Sequence, residues 1–198
     1  MTNKIGKFML VVIAAIVLLV GCLAGSVIGT KNKLNRLYHE VQNYESKVEN
    51  LIHDKAVKIP DLVAVVERGS EHEVEIMEAI AGARANANTI LEAGDVSKMD
   101  EANQNLEVQI DQIRSIIVES YPEIAASQQY IGLMDEISSA QAMISIARED
   151  YINACTEYNI KISEFPTSLF ADMWGYEEIE MYQKAETDSE SGLVNFGS

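Results

Sequence analysis

From Tyr130 to Tyr158 the chain sets apolar side chains at Tyr130, Leu133, Ile137, Ala140, Ile144, Ala147, Tyr151, Ala154 and Tyr158, in alternating steps of three and four. Steps averaging about 3.5 residues draw one unbroken seam along a helix, the geometry by which helices pack in bundles. The same periodicity recurs upstream. Leu34, Leu37, Val41, Tyr44, Val48 and Leu51 form one stripe, and Leu62, Val66, Gly69, Ile76, Ile80, Ala83 and Ile90 a second. Met99, Ala102, Leu106, Ile110, Ile113 and Ile117 form a third, ending near Tyr121-Pro122. Pro60 is expected to open the second helix, because proline suits a first turn and spoils an interior one. Ala93-Gly94-Asp95-Val96-Ser97 reads as a helix stop, a turn and a restart. The expected fold is all-α: an antiparallel four-helix bundle behind an N-terminal transmembrane helix, with a C-terminal tail.

That N-terminal helix is expected because Phe8 to Gly29 is a run of 22 residues without a charge. Helical, it would reach roughly 33 Å, enough for a hydrocarbon core of about 30 Å. Lys4 and Lys7 stand before it; Lys31, Lys33 and Arg36 stand after it. A second anchoring mode stays open. Leu19-Val20-Gly21-Cys22 is similar to a bacterial lipobox, so cleavage before Cys22 and lipidation of its thiol would give an outward-facing lipoprotein. The apolar run goes on for seven residues past Cys22, which a span needs and a lipobox does not. The span over residues 8–29, embedded in a lipid bilayer, is therefore preferred. The flanking positive charge leans toward a cytoplasmic bundle. The resulting division is an anchor over residues 1–30, a bundle over 31–165 and an acidic tail over 166–198 that packs in part on the bundle.

Charge narrows the partners. A net −16 excludes nucleic acid, whose binding rests on basic surface that displaces counterions. From Glu164 onward the chain holds eight acidic residues against one lysine, Lys184, with Trp174 and Tyr176 interrupting them. Two cysteines, Cys22 and Cys155, make no disulfide framework, and His39, His53 and His72 have no metal-ligand spacing with them.

An ordered set of short motifs then resembles one family. Ile59-Pro60-Asp61-Leu62-Val63 is similar to the IPNLV signature of LemA proteins, and His72-Glu73 followed by Ala83-Arg84 to their HE…AR spacing. Tyr121-Pro122, Ala147-Arg148…Tyr151-Ile152-Asn153, Tyr158-Asn159 and Phe165-Pro166 follow in the family's order. Trp174-Gly175-Tyr176 and Val194-Asn195-Phe196 resemble its closing elements. The chain departs from the pattern at Glu45 and Asp54-Lys55, where members usually carry a tryptophan and a paired arginine. The resemblance implies an N-terminal anchor, either a single span or a lipid, followed by an antiparallel bundle of long helices, and brings no enzymatic activity with it.

Catalytic chemistry finds little support. His72-Glu73 lacks the second histidine of HExxH, since Ile76 stands there; the pair reads as polar groups on a bundle helix, with Glu73 needing an arginine or tyrosine partner if buried. Tyr151, Asn153, Tyr158 and Asn159 place phenols and amides at helical spacing, expected to pack and to hold the tail, with a ligand groove as the rival reading. Glu177, Glu178 and Glu180 lack the loop of a calcium site. No cofactor or metal site is expected. The functional expectation is a non-catalytic scaffold or interaction module with a protein partner still to be identified. An accessory subunit of a membrane enzyme such as a protease, or a ligand-binding lipoprotein, is the alternative. Nothing in the sequence sets the oligomeric state.

Overall fold

The computed structural model describes residues 2–69, 74–93 and 96–179. Within them every long element is α-helical: α1 Thr2–Val57, α2 Ile59–Gly69, α3 Val74–Glu92, α4 Val96–Ser120, α5 Pro122–Ala125 and α6 Gln128–Ser163. A single 3-10 turn, Thr167–Leu169, and the short α7, Ala171–Trp174, follow.

Side-chain pairs give the topology. Lys47 bonds Asp150, Lys55 reaches Gln141 and Lys58 reaches Glu136, so partners on α6 descend as α1 ascends. The two helices are antiparallel. Asp100 pairs with Arg148 and Arg114 with Ser138, so α4 also runs against α6. With α3 packed along α4, the result is an up-down-up-down bundle.

The second expected helix is two. Arg84 on α3 bonds Glu67 on α2 at 2.9 Å. Residues so far apart along one straight helix would be separated by about 25 Å. Hence α2 and α3 are separate helices packed against each other rather than one continuous helix. Pro60 marks a joint. It has no N–H to continue the α1 ladder, so Lys58 forms a turn and α2 restarts at Ile59.

The stripes read from the sequence form the core. Leu34, Val48, Leu62, Val66, Ile76, Leu106, Ile113 and Ile144 are all fully buried. On α6 the phase shifts by one residue at two places: Met134 and Cys155 are buried where Leu133 and Ala154 were expected. On α1, Ile52 rather than Leu51 takes the inner position. Ser127 caps α6, its Oγ accepting from the Tyr130 N–H.

From Thr2 onward α1 is helix ahead of Leu34, the first buried residue described. Among the described residues no helix is long and apolar enough to cross a membrane, so the expected transmembrane helix is not carried by the structure. The side chains described between residues 8 and 29 include Gly21, Gly25, Ser26 and Gly29, which add little apolar surface.

Candidate functional site

Two polar constellations stand out, one inside the bundle and one at its end. The inner one centres on Lys55. Its place on α1, three residues past Ile52 and four before Ile59, is a core position, and the side chain is fully buried. An ammonium cannot sit there unpaired. Its Nζ donates to Asn103 Oδ1 at 3.0 Å, to Gln141 Oε1 at 2.9 Å and to the Glu107 carboxylate. Burial still pulls the Lys55 pKa down, while the Glu107 carboxylate works against that shift. One turn away, the Arg148 guanidinium pairs with Asp100, which also accepts from Gln104 Nε2 at 3.1 Å. Asn103 Nδ2 and Arg148 Nε, both buried, find no hydrogen-bond partner among the described residues. Lys55 thus ties α1, α4 and α6 together, and the Arg148–Asp100 pair ties α4 to α6 a second time.

The second constellation closes the end where α1 enters the bundle. Asp100 lies near the start of α4, so the α3–α4 hairpin ends near the level of Arg148. Beyond it α1 and α6 run on as a pair, and the C-terminal segment fills the vacant side. Tyr158 Oη donates to the Glu177 carbonyl at 3.0 Å, and Tyr176 Oη to Asn35 Oδ1 at 3.2 Å. Asn159 donates through Nδ2 to the Ile179 carbonyl at 2.9 Å and accepts from the Ile179 N–H at 3.0 Å. The Tyr38 ring packs against those of Tyr158 and Tyr176, with centroids 5.8 and 6.1 Å away. Burial, then the neighbouring Tyr38, Tyr176 and Glu177, push the Tyr158 hydroxyl up to about 12.

The four α6 residues singled out by sequence do not converge on one site. Tyr158 and Asn159 hold the tail, Tyr151 is buried in the core beside Cys155, and Asn153 is exposed. A hollow of about 480 Å³ lies beside Asn159, lined also by Thr156, Ile160, Ser163, Glu164 and Glu178. Both polar ends of the Asn159 amide are already used by Ile179. His72 and Glu73 lie outside the described residues, as do Glu180 and Val194-Asn195-Phe196, and so does the side chain of Cys22. Among the described residues no group of three or more histidine, cysteine or acidic side chains is placed to hold a metal. Sequence reading missed the Lys55 layer. Its signal was present, since Lys55 keeps the three-and-four step from Val48 through Ile52 to Ile59.

Known proteins align with this architecture. The model of the LemA family matches residues 41–196. Protein LemA of Metamycoplasma hominis is 26% identical over 164 residues, which is 81% of this chain and 72% of that protein. Magnetosome proteins MamQ 1 and MamQ 2 of Paramagnetospirillum magneticum are each 32% identical over 68 residues, 34% of this chain and 25% of theirs. The family match takes in α2 to α7 together with most of the part of α1 that packs in the core, and on that ground the chain belongs to the LemA family.

Proposed function

We propose that this is a membrane-anchored helical bundle acting as a non-catalytic scaffold or protein-interaction module, with the first thirty residues of α1 as the anchor. The observation that carries the reading is the exposure of Ile16, Val17, Leu18 and Leu19, each 56–70% open. Four consecutive helical residues sweep through on the order of 300°, so apolar surface surrounds α1 there and nothing else in the described chain covers it. Each such side chain gains about 1.5–3 kcal/mol on leaving water. Lipid satisfies all sides of a helix at once; a protein groove covers one side. The alternative of cleavage at Cys22 with a lipid on its thiol also tethers the bundle, and the intact mass of the membrane-bound chain separates the two.

An interaction role for the bundle is supported by a polar hollow on its surface. This hollow, of about 590 Å³, lies between α3 and α4 and is lined by Glu75, Glu78, Gln109, Gln112 and Glu119. The test is affinity purification of the full chain from detergent-solubilised native membranes after mild cross-linking. A protein partner recovered in fixed proportion, and cross-linked through α2–α6, is expected. Recovery of the chain alone at every cross-linker dose would contradict an interaction role.

A further inference from the structure

We infer that the segment from Phe165 to Met173 is a second membrane contact, an apolar prong that enters the lipid interface beside the point where α1 leaves the bilayer. The inference rests on the proposed anchoring of α1. Side chains along the segment differ sharply in exposure. Thr167 and Ala171 face inward, 0% and 3% exposed, against the bundle. Phe165, Leu169 and Met173, at steps of four, are 79%, 66% and 71% exposed. Large apolar side chains left open in a group mark a surface made for a partner.

The position of the prong along α1 names that partner. Lys31 Nζ lies 5.6 Å from the centre of the Trp174 ring, and Trp174 stacks on Phe170 at 5.5 Å. Lys31 is two residues past Gly29, so about 3 Å further along the helix axis than the end of the uncharged run. Tyr176 reaches Asn35, a little over one turn beyond. The prong and its aromatic base are therefore level with the boundary of the proposed span, where tryptophan, tyrosine and lysine gather in membrane proteins. Charge does not drive this contact. Lys31, Lys33 and Arg36 are offset by Glu164, Asp172 and Glu177, so the apolar side chains supply the affinity and a zwitterionic lipid suffices.

Trp174 is the only tryptophan in the chain and reports on the site directly. The full chain is reconstituted into phosphatidylcholine vesicles whose acyl chains carry bromine at shallow or deep positions, and Trp174 fluorescence is followed. Strong quenching by the shallow bromines and weak quenching by the deep ones is expected. A variant with Phe165→Ser, Leu169→Ser and Met173→Ser should keep its helical circular dichroism and remain with the vesicles on flotation. Its Trp174 should lose the bromine quenching and become open to aqueous acrylamide. If the parent chain floats with the vesicles while Trp174 ignores both bromolipids, the prong is refuted and the anchor stands. If the triple variant is quenched as strongly as the parent, the prong is refuted as well, since tethering alone would account for the proximity. If the parent fails to float at all, the anchoring reading itself falls.

Discussion

Asn159 and Ile179 are joined as two strands of a sheet would be: one side-chain amide both donates to and accepts from one backbone residue, at 2.9 and 3.0 Å. An asparagine on a helix thereby stands in for an extended neighbour and fixes the register of the tail against α6. Asn159→Leu keeps the volume and removes both bonds. The local cost should be about 1–3 kcal/mol, the penalty for leaving partly buried backbone groups unpaired. Hydrogen exchange at the amides of residues 176–179 should accelerate while α3 and α4 keep their protection. Unchanged exchange at Ile179 would show that the aromatic contacts alone dock the tail.

Tyr158 makes the same docking pH-dependent. Its hydroxyl in the folded chain titrates at about 12, against the ordinary 10.0. Raised in the docked state, it contributes stability that is whole below about 10 and is lost as pH climbs toward 12. Absorbance of phenolate should show one tyrosine lagging the exposed ones, and tail release, read as faster proteolysis after residue 164, should follow that late step. Tyr158→Phe should remove the late step. Tail release coinciding with the first phenols to ionise would contradict the assignment.

The Lys55 layer predicts that a double replacement costs less than the single one. Lys55→Met strands Glu107, Gln141 and Asn103 and should destabilise by about 3–5 kcal/mol, the range for breaking a buried pair from one side. Adding Glu107→Leu removes the abandoned carboxylate and should recover most of that loss, since an apolar layer of similar volume is often as stable. Thermal unfolding of both variants followed by circular dichroism checks this. A double variant no more stable than the single would show that Asn103 and Gln141, rather than the ion pair, hold the layer.

The apolar part of this fold was legible in the sequence because burial on a helix follows spacing alone: Ile110, Ile113 and Ile117 are buried as their steps require. Where a stripe offers two neighbours of similar apolar character, spacing cannot choose, and Met134 and Cys155 took the places expected of Leu133 and Ala154. The division of the expected second helix into α2 and α3 was hidden because the apolar steps run on to Ile76 without a proline between them. The buried charges were least visible. Lys55 looks like an ordinary surface residue until α4 and α6, 48 to 86 residues away, bring Asn103, Glu107 and Gln141 to it. Tyr158 and Asn159 were recognisable as tail-holding groups, but which backbone atoms they meet depends on a path that runs beyond α6 and back.

The proposed uncleaved membrane anchor at the start of α1 can be tested on the whole chain. The most direct measurement is the intact mass of the full chain recovered from carbonate-washed membranes of cells expressing it. The account predicts that the chain stays in the washed membrane pellet, with a mass that includes residues 1–21 and an unmodified Cys22 thiol. Cys22→Ala should then leave both retention and processing unchanged. A mass beginning at Cys22 with added diacylglycerol would contradict the span and place the bundle on the outer face of the membrane. Release of the unmodified chain into the wash would contradict anchoring altogether.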